Sequence, residues 1–133
     1  MTFPCYNTAL RTAARVVTAA YDDALAPMGI GSAQYTLLKM LAGPEPMALT
    51  ELGAKMRLDR STVGRNVRVL EKNSLLTLGT GADARETTVA LSAAGRAMLK
   101  AATPLWDKAQ RAFEARIGKD AAHGLRDLLQ TLE

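Results

Sequence analysis

Only one cysteine, Cys5, and one histidine, His123, occur among the 133 residues, and each scarcity excludes a class of chemistry. A single thiol rules out an internal disulfide framework and any site built from four thiolates. A single imidazole rules out a His/Cys metal cluster and the HExxH arrangement, so no metal and no cofactor is expected. No Ser, His and Asp fall into an arrangement that would activate a nucleophile, and the expectation is a protein that is not an enzyme. Long apolar runs are missing as well. None approaches the roughly 20 residues of a membrane helix, so a soluble chain without a membrane partner is expected. The opening MTFPCYNTALRTAAR is broken by Pro4 and has neither a long apolar h-region nor a compact basic n-region, which argues against a secretory signal and for a cytoplasmic location.

What is present is globular: 48% of residues are hydrophobic and 23% charged, with a net charge of +4. The length fits one folding unit with a core of its own or one shared with a second copy. The mild basic excess suits a polyanionic partner, and its distribution matters more than its total.

Apolar residues recur at helical spacing over residues 7–26, as Leu10, Ala13, Val17, Ala20 and Ala24, until Pro27, Gly29 and Gly31 break the pattern. Ser32 is placed to cap a second helix through Leu41, burying Tyr35, Leu38 and Leu41. GPEP at 43–46 is a loop. A short extended stretch at 47–49 leads to Thr50, placed to cap a third helix with Leu52 and Met56 on its inner side. Asp59 is placed to cap the next helix, where its charge also suits the positive helix N-terminus. After Leu75 the period changes to alternation: Leu76 and Leu78, a GTGADAR turn, then Thr87, Val89 and Leu91 predict a two-stranded hairpin with an arginine at its tip. Ser92 then caps a long helix with a stripe of Ala94, Met98, Ala101 and Leu105, in which Pro104 predicts a kink and Gly118 the end. A final helix from about Asp120 carries Leu125, Leu128, Leu129 and Leu132. The terminal helical segments are too apolar on one side to stand alone in water, which predicts that they bury each other across a dimer.

The stretch LDRSTVGRNVRVLE, residues 58–71, divides into two faces. Val63, Val67 and Leu70 share one, while Ser61, Arg65, Arg68 and Lys72 share another. Such a cationic stripe on an isolated helix is commonly just a solvated surface. Here it follows a helix and a short turn and precedes an Arg-tipped hairpin, the order of a winged helix-turn-helix. In that fold Ser61, Thr62, Arg65 and Arg68 would meet base edges in the major groove, since arginine forks onto guanine O6 and N7. Ser61 and Thr62 at the helix N-terminus could also hold a phosphate. Lys72 would meet the backbone, and Arg85 would lie at the minor groove.

The chain resembles the MarR family of bacterial transcription regulators. The resemblance rests on LTELGAKMRLDRSTVGRNVRVLEKNSLL, on DARETTVALSAAGR and on NTALRTAARVVTAAYDDALAPMGIGSAQYTLLKML, and so covers nearly the whole sequence. Asp83 and Arg85 match the family's D-x-R at the wing tip, in which the acid braces the arginine, and LSAAGR is similar to its L-T-x-x-G-R. The resemblance implies a mainly α fold with a small β hairpin. Within a single domain over 1–133, the winged helix-turn-helix spans 32–92, flanked by dimerisation helices at 6–26 and 93–133. It also implies a homodimer on a palindromic operator in double-stranded DNA, a recognition helix at about 60–73 that includes Arg60, and a wing at 79–86. A repressor released by a small-molecule effector or an oxidant is the usual mode of action. The sequence departs from the family by carrying Ser74 where a glycine is usual before the wing, and Asn73 is expected to take the left-handed conformation instead. The alternative is a winged helix kept as a protein-interaction module without operator binding, which an apolar or acidic outer face would favour; Glu71 is the only acid between 60 and 73.

Three further groups carry expectations. Cys5 lies where some relatives keep a redox-active cysteine, and a sensor there would need a hydrogen-bonding neighbour such as a tyrosine. Tyr21, Tyr35 and Trp106 are the polar-edged aromatics available to an effector pocket, against the plainer reading that all three are core or interface side chains. His123, Asp22 and Asp23 are expected to be solvated surface groups.

Overall fold

The computed structural model describes residues 4–133; Met1 to Phe3, the start of the stretch read above for a secretory signal, lie outside the described residues. The alanine-rich N-terminal segment forms α1 (Tyr6–Leu25), which runs into a 3-10 turn at Ala26–Met28 and stops at Gly29, whose φ of 75° is the left-handed conformation open to glycine. Next comes α2 (Ser32–Met40). Ser32 is its first residue and not its cap: the Gln34 side chain accepts from the Gly31 N–H at 2.9 Å, and Asp22 of α1 accepts from the Ser32 N–H at 2.7 Å. Asp22 is therefore a tertiary clasp between α1 and α2, which corrects its reading as a solvated charge.

The short strand β1 (Met47–Ala48) leads directly into α3 (Leu49–Met56), which starts two residues earlier than expected, so that Thr50 lies inside it and caps nothing. Arg57, left-handed at φ 55°, ends α3. Asp59 caps α4 (Arg60–Lys72) as the sequence indicates, accepting from the Thr62 N–H at 3.0 Å. The end of α4 differs from expectation. Asn73 stays right-handed, and it is Ser74 that takes φ 64°, with its N–H bonded to the Glu71 carbonyl and the Leu75 N–H to that of Leu70. This double closure is what allows Leu75 to turn back into the core.

The hairpin pairs β2 (Leu76–Thr80) with β3 (Thr87–Leu91), Leu76 opposite Leu91. β1 adds on the other side of β3, so the sheet has three strands in the order β1-β3-β2 instead of two. Its core end is Leu76, Val89 and Leu91, while Leu78 is exposed towards the wing.

Ser92 opens α5 (Ala93–Ile117), accepting from the Gly95 N–H and donating to the Ser74 carbonyl. The helix runs on through Pro104 to Gly118, and its buried line is Gly95, Met98, Leu99, Ala102 and Leu105. Ala94 and Ala101 face outwards, one position off the predicted stripe. Gly95 is needed there, since a Cβ would stand 2.0 Å from the Leu75 carbonyl oxygen. Arg96 ties α5 to the end of α2 by donating to the Ala42 and Gly43 carbonyls. The last helix is α6 (Lys119–Gln130).

One cluster joins these elements: Leu25, Leu37, Leu38, Leu52, Val63, Leu70 and Val89 are sealed from solvent between α1, α2, α3, α4 and the sheet. At about 1.5–3 kcal/mol for each buried aliphatic side chain, Val63, Val67 and Leu70 outweigh everything that disfavours the polar α4 as an isolated helix.

Candidate nucleic-acid interface

With Val63, Val67 and Leu70 sealed inside, 3.6-residue periodicity leaves Ser61, Arg65, Arg68 and Lys72 on the outer side of α4, all exposed, while Arg60 is exposed as its first residue on the flank towards α3 and Thr62 is half-buried in the first turn. None of the four cations forms an ion pair among the described residues. Of the two acids at hand, Glu71 is exposed in the last turn of α4 and Asp59 is engaged in the cap. Hydrogen bonds from the Thr62 side chain and backbone, then from the Ser61 hydroxyl, hold its carboxyl below the usual carboxylate range, and Arg65 adds to this. Ser61 donates to Asp59 at 3.2 Å and Arg65 to the Thr62 hydroxyl at 3.4 Å. The first turn of α4 is thus an ordered set of polar groups that face solvent.

At the wing tip Asp83 accepts from the Arg85 backbone N–H at 3.0 Å, and the Arg85 guanidinium Nε lies 3.6 Å from the same carboxylate oxygen. The brace expected of this pair is present, and the Arg85 side chain remains 92% exposed. Arg60 and Arg85 line a common cleft of about 200 Å³ between α3, α4 and β3, so the helix and the wing present their cations from one side of the molecule. A shallower depression on α4 itself is lined by Arg60, Ser61, Gly64, Arg65 and Arg68. Gly64 was not among the residues singled out in the sequence. Its signal is a glycine at mid-helix with an arginine four residues to either side.

The aromatic candidates do meet, at the junction of α1, α2 and α5. Tyr35 stacks on Trp106 with ring centroids 5.6 Å apart, and Tyr21 lies 6.5 Å from the same ring. The Tyr35 hydroxyl pairs with Thr103 and the Tyr21 hydroxyl with Gln110, so each phenol already has a partner. Burial first, and then the Glu114 carboxylate, push the Tyr21 phenol upwards. Tyr21 borders two grooves: one of about 460 Å³ beside Val17, Leu105 and Phe113, and one of about 690 Å³ that runs along α1, α5 and α6. Tyr35 is core. His123 is half-exposed on α6, 3.9 Å from Glu114.

Cys5 is exposed at the N-cap of α1. Hydrogen bonds from the Thr8 backbone and side chain lower its thiol from the ordinary value. Its hydrogen-bonding neighbour is a threonine, not the tyrosine that a sensor would use, and Tyr6 points into solvent.

Residues 33–79 match a family model described as a helix-turn-helix domain. The crystal structure of the M. tuberculosis transcriptional regulator MosR in complex with DNA is similar over 96% of this chain and 96% of that one, at 33% identity and a TM-score of 0.84. A transcriptional regulator (MarR family) from Rhodococcus sp. RHA1 shares the fold over 98% of this chain and 96% of that one, with 23% identity and a TM-score of 0.84. The uncharacterized HTH-type transcriptional regulator YwoH of Bacillus subtilis (strain 168) is 29% identical over 83 residues, which are 62% of this chain and 61% of that protein. The match thus spans less than two thirds of that relative's length.

Proposed function

The chain belongs to the MarR family of winged helix-turn-helix transcriptional regulators, and from that premise we propose a cytoplasmic, non-enzymatic homodimer that binds a palindromic operator and represses transcription until an effector releases it. The observation that carries the reading is the exposed surface of α4: four cations without ion-pair partners among the described residues, on a helix whose other side is locked into the core. A helix of this width fits the major groove. Arg65 reads a base edge there, with Ser61, Thr62, Arg60 and Arg68 around it. Lys72 neutralises a phosphate, and Arg85, braced by Asp83, follows the minor groove.

Dimerisation is the role of α1, α5 and α6, and residues 32–92 form the reading head. An effector belongs to the apolar groove beside Tyr21, where Lys108 and Arg116 at the rim suit an anionic group on a lipophilic body. Tyr35 and Trp106 sit behind that wall and link it to the reading head. Cys5 is the residue on which an oxidant would act.

The experiment is selection of duplexes from a random library, followed by affinity measurements at several salt concentrations. Arg65→Ala is expected to weaken the selected palindrome by about 1–3 kcal/mol and to relax preference at one base pair. Lys72→Ala should weaken all sequences alike and flatten the salt dependence by about one counterion. Unchanged binding by the Arg65 variant would show that α4 is not the reading helix.

A further inference from the structure

Four glycines stand inside helices, and Gly95 has an evident internal reason, since a Cβ there would strike the Leu75 carbonyl oxygen. A Cβ on Gly53 would meet Val63 at 3.4 Å, in ordinary contact where α3 meets α4. Gly64 has no such reason. Nothing lies within 4 Å of where its Cβ would stand, and its φ is not in the left-handed region. Glycine nevertheless disfavours a helix relative to alanine, through the freedom it retains in the unfolded chain. The position therefore carries a cost to folding that no contact within the chain explains. Gly124 is alike in this, and it sits on α6, whose apolar side is uncovered in the single chain.

The surroundings of Gly64 say what its bareness serves. Arg60 lies one turn before it and Arg68 one turn after, so the three share a flank of α4, and Ser61 and Arg65 complete the rim of the depression. That flank is about 100° round the helix from Arg65. When the outward direction of a helix faces base edges in the major groove, its flanks face the sugar-phosphate strands that border the groove. From this, and resting on the reading of α4 as the DNA-binding helix, we infer that a phosphate of the bordering strand seats in the notch over Gly64, against bare helix backbone, with the Arg60 and Arg68 guanidiniums on either side. Gly64 sets how deeply α4 enters the groove. A methyl group there would hold the strand away and lengthen both charge-assisted contacts.

Gly64→Ala separates this from any structural role, because its two effects have opposite directions. The melting temperature is expected to rise, since alanine favours the helix and meets nothing. Affinity for the selected palindrome and for an unrelated duplex should both fall by a similar factor, roughly tenfold, while the motif recovered from a random library stays the same. Wild-type affinity in the variant would overturn the inference. So would a changed preference at one base pair with unrelated-duplex affinity retained, which would put Gly64 against a base edge. A lowered melting temperature would overturn it at its premise, by giving the glycine an internal reason. Failure of the wild-type chain to enrich any duplex would defeat the DNA reading itself, and the notch with it.

Discussion

Ser74 shows at the scale of one residue how a small local strain is tolerated for a tertiary purpose. Its φ of 64° places an L-residue with a side chain in the left-handed region, at about 1–2 kcal/mol by comparison with the right-handed form. What it gains is the turn that delivers Leu75 into the core and sets the Ser74 carbonyl where Ser92 donates to it. Both gains are made by backbone atoms, so Ser74→Gly should keep them and remove the strain. Part of that gain is offset by the greater freedom of glycine in the unfolded state, and a net stabilisation of roughly 0.5–1 kcal/mol is expected. Equilibrium denaturation of the two proteins measures it, and a loss of stability would mean that the Ser74 side chain has a role of its own. The family resemblance implied a left-handed residue between α4 and the wing, and propensity favoured Asn73 for it. The choice falls one residue later because the core fixes where Leu70 and Leu75 must lie, which overrides a local preference. Gly64 escaped notice for the converse reason: a helix pattern records which side chains are present, and the information there lies in one that is absent.

At the scale of elements the caps decide how α4 behaves with pH. Asp59 is held below its ordinary value by bonds to its charged form, which exist only in the folded helix. A depressed folded value contributes stability that is present above the unfolded carboxylate value and is lost as pH falls through the folded one. Acidification should therefore loosen the first turn of α4. Asp59→Asn keeps a capping oxygen and removes the titration. At neutral pH the variant should melt slightly below the wild type, which loses its advantage as both are acidified through the carboxylate range. Melting curves across that range test this, and a constant gap down to the lowest pH would contradict it. Asp59 and Ser92 were legible as caps because an apolar period begins directly after each. Ser32 and Thr50 have the right chemistry but the wrong place, since Asp22 occupies the donor at the start of α2 and α3 begins one residue ahead of Thr50. Two-residue β1 has no period to detect, and on α5 the many alanines let two of the four predicted stripe positions, Ala94 and Ala101, slip by one, while Met98 and Leu105 pack on the core.

For the whole molecule the surface area carries the argument. The single chain exposes 9065 Å², whereas a compact monomer of its mass would expose about 6,800 Å², leaving an excess of roughly 2,300 Å² per chain. Two chains that covered that excess would bury an area in the range of obligate dimers. The excess is concentrated where apolar side chains stand in water. Leu10 on α1, Ile117 at the end of α5, and Leu125, Leu128 and Leu129 on α6 are all exposed, as is Leu132 just beyond it, with Leu128 at 68% and Leu132 at 75%. Leu10, Leu125 and Leu129 line the 690 Å³ groove, which no element among the described residues fills, while Leu128 stands on the same helix beside it. A second copy is the occupant that the palindrome reading needs, because two reading heads on one operator convert the second contact into an intramolecular one. Leu128→Glu adds a charge to a position already open in the single chain, so the fold of the reading head should be undisturbed. In a dimer the same charge would be desolvated without a partner. Sedimentation should then give a monomer with unchanged helicity by circular dichroism. Affinity for the palindrome should fall to that of a half-site, and Arg65→Ala in the same background should weaken what binding remains by a further ~1–3 kcal/mol. A Leu128→Glu protein that sediments as the wild-type dimer would move the subunit contact away from α6 and leave its leucines without a partner.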